Sequence, residues 1–408
     1  MMNSFQFKDS ELQFKEKLFE YKRTLKTDFN MREQIAGMPY WTEILPDIYV
    51  YSSYWMYKKS RSLIFTKNTP IAALWKIGCK LHYDNGKHDL NTKTNIILLD
   101  RKDSSMFLYL ECLPFDAQVP HSVSFVHKNI TSTISLPIIN EKSYTSPYAV
   151  CIQPLPPAFK DVNKVLEFLA FHLHMGIKFF IFYETGLSLN VRKLLMDVAM
   201  KNNVYVLLLP WNMPISSNTD FGNKELFFLD CFHRIVARNQ SEIVLKLEIN
   251  DLVVPKGNWN ISHFTSFDTA ANVFKLHEKV FCEEYPNDII AQNLFMPFVS
   301  LLKTRASNKN NSVKKIVYDV KKLKSIVADS KEFHSWFQKK KVQKAFLIPE
   351  TFAILHSYGK CGLQSDDENY VEDRSMWKYK DTFFQSHIYK LANEANVINT
   401  YDVQKVTL

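Results

Sequence analysis

Three oxygen-bearing side chains, Glu248, Asn250 and Asp251, interrupt an otherwise apolar stretch, VLKLEINDLVVP over residues 244–255. Alternate side chains of an extended segment leave it on the same side. Glu248 and Asn250 are therefore placed to share one ligand, with Asp251 next door. Such oxygen donors suit a hard divalent cation, Mn²⁺ or Mg²⁺, and leave coordination positions for phosphate oxygens. An amide is neutral, so this pair carries less charge than two carboxylates. The same residues could also simply close a turn, and spacing alone leaves both readings open.

A second cluster lies upstream. Phe228, Cys231, Phe232, Ile235 and Val236 line one face of a helix, and Asp230, His233 and Arg234 fall on the other. Asp230 and Arg234 stand four residues apart. That is the spacing of an exposed ion pair worth ~0.3–0.5 kcal/mol, or of a buried structural or substrate-facing cluster. His172 and His174 flank an apolar helix face without the His-Glu-x-x-His spacing of a metalloprotease, and read as core or surface residues. His356 stands alone after a strand-like run. GxGxxG, GxxxxGK and GxSxG are all absent, which removes dinucleotide-fold, P-loop and hydrolase-elbow chemistry.

The elements that must position these groups follow from periodicity. Residues 1–40 read as a charged helical lead-in. From 41 to 145 the runs IYVYSSYWMY, IAALWKIGCKLHY, NIILLD, MFLYLECLP and SVSFV predict a mostly antiparallel β-rich region. At Ala149–Gln153 the rhythm changes. A strand is followed by a helix bearing Val162, Val165, Leu166, Leu169 and Leu173, which Gly176 stops. KFFIFY, a helix capped by Ser188, VYVLLLP, the Phe228 helix and a strand over Val244–Ile249 complete a β-α-β-α-β-α-β series. This predicts an α/β fold over 146–365, a mostly parallel sheet covered by helices on both faces, with a helical tail over 366–408. Ligands of such sheets bind beyond the carboxyl ends of the strands, which is where Glu248, Asn250 and Asp251 lie.

Composition narrows the class. The 408 residues are 46% hydrophobic and 14% aromatic, with Phe 31 and Tyr 19, so a disordered chain is excluded. The net charge of +9 is concentrated between Lys303 and Lys324 and again at Lys339-Lys340-Lys341. A solvated face explains such runs; attraction to a phosphate-bearing partner is the sharper reading. No nucleic-acid-binding motif accompanies the charge, so nucleic acid is not expected as a partner. The six cysteines form no CxxC, which argues against structural zinc and permits disulfides without showing them. Sequons begin at Asn129, Asn239, Asn260 and Asn310. The sequence contains neither a signal-peptide pattern nor an apolar span of membrane length, so membrane attachment would need an upstream anchor.

Five stretches, in order, carry a resemblance: IYVYSSYW; CIQPLPP; VLEFLAFHLHMGIKFFIFY; LDCFHR; and KAFLIPETFAILHS. The third shares Glu167, Phe168, Gly176, Phe180 and Tyr183 with a family pattern. The fourth shares Asp230, Cys231 and Arg234, and the fifth Lys344, Pro349 and His356. Together they resemble glycosyltransferase family 92 over about residues 41–365. The resemblance implies a GT-A fold that binds a nucleotide sugar, often through an Asp-x-Asp metal site. Its best-known members resemble β-1,4-galactosyltransferases that carry galactose from UDP-galactose to fucose on N-glycan cores, and are Golgi membrane proteins. Carried onto this chain, it implies Glu248, Asn250 and His356 as metal ligands. Asp251, Asp230 and Arg234 would then stand at the donor, and a glycan or glycoprotein would be the acceptor. Where the family segment usually reads Asp-x-Asp-Glu, this chain has Glu248-Ile249-Asn250-Asp251. That departure keeps a second expectation alongside the first: a binding or scaffold protein on the same fold.

Overall fold

The computed structural model describes residues 40–394 apart from short interior stretches, the longest being 140–144, 215–224, 329–343 and 363–369. The helical lead-in, Tyr40 excepted, and the Lys339–Lys341 run lie outside the described residues.

Among the described residues, nine strands between Thr42 and Ile139 form one sheet, antiparallel except where Ile48–Met56 pairs in parallel with Ile130–Ile139. The IAALWKIGCKLHY run differs from its all-strand reading: Ile71–Leu74 is a short helix after Pro70, and the strand begins at Ile77. Pro at a helix start carries no N–H to leave unsatisfied.

The second sheet has eleven strands among the described residues. It begins with β1 (Tyr148–Leu155), α1 (Val162–His174), β2 (Phe179–Glu184), α2 (Leu189–Lys201), β3 (Tyr205–Pro210), α3 (Phe227–Arg238) and β4 (Ile243–Leu247). β1 pairs in parallel with β2 and β4, and β2 with β3, so the four predicted strands are neighbours in one sheet. Their apolar runs suit strands buried on both faces. Local signals mark the helix ends. The Asp161 side chain accepts from Lys164 N at 3.0 Å at the start of α1. Gly176, at φ 84°, takes the left-handed turn that ends it.

Beyond β4 the chain adds β5 (Asp251–Pro255), β6 (Val273–Cys282), β7 (Val313–Asp319), α4 (Val320–Ala328) and β8 (Ala353–Gly359). β7 runs antiparallel to β4 and β6, while β5 pairs with β8 and β8 with the second half of β6. β6 is thus long enough to serve the main sheet with its first half and the strands beyond its edge with its second. The helices Lys380–Gln385 and His387–Glu394 of the tail pack back on α1, with Phe383 against Phe171 and Phe298.

Alternation along β1 sorts the core. Val150 and Ile152 join the apolar faces of α1 and α2. Ala149 and Cys151 face the other way, towards α3, towards Tyr51, Tyr54 and Phe65 of the N-terminal sheet, and towards Trp41 just before its first strand. One face of the α/β sheet is therefore covered partly by a sheet, where the βαβ rhythm predicts helices alone. The cause is legible in Ile48–Met56: nearly every residue of that strand is buried, so its sheet must cover both of its faces. Three disulfides use all six cysteines. Cys79–Cys112 lies in the N-terminal sheet, Cys151–Cys231 ties β1 to α3, and Cys282–Cys361 ties the end of β6 to the segment after β8.

Candidate functional site

β4 stops at Leu247, two residues before the end read from its apolar pattern, because Glu248–Asp251 forms a turn. Asp251 N donates to Glu248 O at 3.0 Å, and Glu248 N donates to Asp251 Oδ2 at 3.0 Å, closing the turn from both sides. Ser357 Oγ on β8 donates to Asp251 Oδ1 at 2.5 Å, and Tyr358 N donates to Asn250 O at 3.1 Å. Asp251 is thus the residue that shapes the turn. It is buried, and burial pushes its carboxyl up to about 6 against the pull of the nearby Lys314 ammonium.

The other two oxygen donors are placed differently. The Glu248 side chain is 46% exposed, with Lys314 Nζ 3.9 Å from Oε1. Asn250 Oδ1 is buried, yet it accepts no hydrogen bond among the described residues. A buried acceptor without a partner costs about 1–3 kcal/mol, and in a native fold such a group calls for an explanation. Glu248–Asp251 is a turn and not extended strand, so the alternation that would set Glu248 and Asn250 on one side does not hold here. What the turn offers a hard cation is the donor types alone, a half-exposed carboxylate and an unused amide oxygen two residues on.

Two residues that spacing did not single out complete this edge. Glu278 on β6 binds Lys314 Nζ of β7 at 2.6 Å and accepts from Ser312 Oγ, and Lys314 Nζ lies 3.8 Å from Asp251 Oδ1. Burial raises the Glu278 carboxyl, but the bonds from Lys314 and Ser312 outweigh it and hold the group below the usual range. Burial also disfavours the Lys314 ammonium, and Asp251, Glu278 and Glu248 reverse that and raise it. Glu278, Lys314 and Ser357 come from three strands separated in sequence, so no local spacing announces them.

The structure does not bring His356 to these oxygens. β8 does run beside β5, but His356 pairs with Leu252 while Ser357 pairs with Asp251. Successive side chains of a strand alternate, so the imidazole leaves the opposite face. There it packs on Phe281 at 4.7 Å and meets Tyr358 OH from Nδ1 at 3.3 Å. Burial drives it down to about 3, so it is a neutral core histidine. Neighbouring backbone, not a shared side-chain face, is what its sequence position provided.

Asp230 and Arg234 are also set apart. Both are buried, at 0% and 3% exposure. Asp230 accepts from Ser52 Oγ at 2.5 Å, Tyr183 Oη at 2.5 Å and Arg234 Nη2 at 3.1 Å, and from Tyr54 Oη as well. Ser52 and Tyr54 belong to the N-terminal sheet, so this carboxylate joins that sheet to α3 and β2. His233 does the same beside it, within hydrogen-bond distance of Arg61 Nη1 at 3.0 Å and Tyr109 Oη at 3.1 Å. The polar face of α3 is therefore a buried seam between the sheets, and Asp230 and Arg234 are spent on it. The i, i+4 spacing is the same for an exposed pair and for this one. What distinguishes them is the tyrosine-rich strand far upstream.

Glu167 on α1 is likewise structural. Its buried carboxylate accepts from Val299 N at 3.1 Å and Ser300 N at 2.9 Å, capping the short helix Val299–Leu302. Burial pushes it from 4.5 up to about 7 despite those donors. A folded pKa above the unfolded one means that its contribution to stability is full below pH 4.5 and is lost as pH rises through about 7. Glu167→Gln removes that titration. Relative to the unmodified protein, it should gain on the order of 1–3 kcal/mol between pH 5 and pH 8. Urea denaturation of both at the two pH values measures this. A difference that does not change with pH would mean the carboxylate stays ionised throughout.

A family model for Glycosyltransferase family 92 matches residues 146–399. No curated protein matches the sequence. Among solved structures, S. aureus TarS 1-349 is similar at 13% identity over 60% of this chain and 64% of that one, with a TM-score of 0.25. This chain thus spans less than two thirds of that relative. A putative glucose-1-phosphate thymidylyltransferase from Bacillus anthracis, in complex with a sucrose, is similar at 9% identity over 53% of this chain and 89% of that one, with a TM-score of 0.30. Likenesses this partial bear on neither fold nor chemistry. The family match spans well over half of the sequence and takes in β1 to β8 with the turn at Glu248–Asp251: the chain belongs to glycosyltransferase family 92.

Proposed function

We propose that this glycosyltransferase draws its sugar from a UDP-sugar, UDP-galactose foremost, and passes it to a glycan or glycoprotein acceptor. The observation that supports this reading best is the turn after β4. It presents a half-exposed Glu248 carboxylate and an unpartnered Asn250 Oδ1 at the carboxyl end of β4, which runs parallel to β1 and antiparallel to β7. Glu248 and Asn250 would hold a divalent cation, Mn²⁺ or Mg²⁺, which supplies neutralisation of the charge that develops on the departing diphosphate. Asp251 has a different part in this reading. Each of its oxygens accepts one bond, from Glu248 N and from Ser357 Oγ, so it fixes the turn on which the other two stand.

Compartment follows the same reading. Disulfides persist in oxidising compartments, and pairing of all six cysteines supports a secretory or Golgi lumen. Among the described residues no helix is long and apolar enough to cross a membrane.

One observation favours the scaffold reading: an amide stands where the family's second acid is usual, with a lysine close by. Calorimetric titration separates the two. On the enzyme reading UDP and Mn²⁺ bind cooperatively, with coupling of about 1–3 kcal/mol. Asn250→Asp should then tighten Mn²⁺, because it restores the missing charge. If Asn250→Asp leaves Mn²⁺ binding unchanged and UDP does not bind, the turn is only a turn and the scaffold reading stands.

A further inference from the structure

The basic segment from Lys303 to Lys324 has no role in the account so far. Most of its described cations are engaged away from the edge. Lys303 Nζ donates to Glu283 O at 2.8 Å, and the Arg305 guanidinium lies 4.7 Å from the Tyr370 ring centroid. Lys321 pairs with Glu242 at 2.6 Å, and Lys322 with Asp319 at 3.2 Å. Lys314 is different. The acidic partners of its ammonium are Glu278 at 2.6 Å, Asp251 at 3.8 Å and Glu248 at 3.9 Å. It therefore sits against the turn that carries the oxygen donors, and its side chain is 33% exposed.

This arrangement places one positive charge among three carboxylates. Glu278 holds the ammonium closely, while Glu248 and Asp251 stay beyond hydrogen-bond distance. A lysine on a four-carbon stem, with three rotatable donors, can turn towards a phosphate oxygen without leaving its nearest carboxylate. The site has also lost one formal negative charge, with Asn250 in place of an acid. It therefore needs less external positive charge to receive a diphosphate than two acids would.

We propose that Lys314 is a resident cation of the donor site. Its ammonium contacts the diphosphate of the incoming nucleotide directly, so nucleoside diphosphate binding does not depend wholly on a divalent metal. Glu278 is the residue that holds Lys314 there. The proposal rests on the donor reading above and goes beyond it by assigning part of the charge neutralisation to the chain itself.

The test is binding of UDP and of GDP to the whole chain by calorimetry, in EDTA and in Mn²⁺, with Lys314→Gln and Lys314→Arg compared. The expected result is measurable binding in EDTA, weaker than in Mn²⁺ by no more than about 100-fold. Lys314→Gln should lower the EDTA affinity at least 10-fold, and Lys314→Arg should retain most of it. Lys314→Gln also takes the cation away from the nearly buried Glu278, so its melting temperature should fall while that of Lys314→Arg changes less, and the binding comparison is made well below the lower of the two. Binding seen in Mn²⁺ but abolished by EDTA, or unchanged by Lys314→Gln in EDTA, overturns the role of Lys314 and leaves the donor site standing. Absence of binding by both nucleotides in both conditions overturns the donor site and Lys314 together.

Discussion

Asp230→Ala should destabilise the protein by about 3–5 kcal/mol, the largest loss expected from any single side chain named above. The carboxylate is fully buried and takes bonds from Ser52, Tyr54, Tyr183 and Arg234. Its removal leaves the Arg234 guanidinium, 3% exposed, without its carboxylate and takes the same acceptor from Tyr183, while Ser52 and Tyr54 keep their mutual bond at 2.6 Å. An unpaired buried charge is far costlier than the lost ion pair is favourable. The companion variant therefore discriminates between causes. Asp230→Leu combined with Arg234→Met removes both charges, and should recover at least half of the loss. Chemical denaturation of the single and double variants measures both figures. A single-variant loss below about 1 kcal/mol would place this seam in water.

The largest functional effect is expected at Glu248. Glu248→Ala should lower turnover of the nucleotide-sugar donor by about 100-fold or more, the scale reached when one preorganised group facing developing charge is removed. Its effect on stability should stay within about 0.5 kcal/mol, because the side chain is 46% exposed and its ion partner Lys314, 3.9 Å away, keeps Glu278 at 2.6 Å. Asp251→Asn should behave otherwise. It loosens the turn held by Glu248 N and Ser357, so stability and turnover should fall together. Parallel melting curves and initial rates separate the two patterns. Equal activity losses with equal stability losses in both variants would reduce Glu248 to a structural role.

How much of this was legible beforehand follows from how local each signal is. The four parallel strands and their helices were readable because each element carries its own periodicity and its own stop, such as Gly176 or the Asp161 cap. The turn at Glu248–Asp251 was only one of two open readings, because the apolar pattern carries the strand on to Ile249 whereas the structure ends it at Leu247. The roles of its members were not readable. Asp251 looks like a ligand until Ser357, more than a hundred residues later, is seen to hold it. His356 illustrates the limit most clearly. Its resemblance and its strand were right, and the register of one residue decided the face, with Leu252 opposite His356 and Asp251 opposite Ser357. A one-residue register reverses every side chain of a strand, and no pattern within β8 reports its register against β5. Asp230 and Arg234 failed similarly: their burial is set by Ser52 and Tyr54, which stand in another sheet.

The central claim is that the carboxyl edge of this sheet is a nucleotide-sugar donor site, and the most direct test is a donor-hydrolysis panel. UDP-galactose, UDP-glucose, UDP-N-acetylglucosamine and GDP-sugars would be incubated with the protein, with and without Mn²⁺, and release of the nucleoside diphosphate measured. The account predicts release from a UDP-sugar, UDP-galactose foremost, stimulated by Mn²⁺ and abolished by Glu248→Ala. Release from no donor in either condition, by a protein whose melting curve shows it folded, would contradict it.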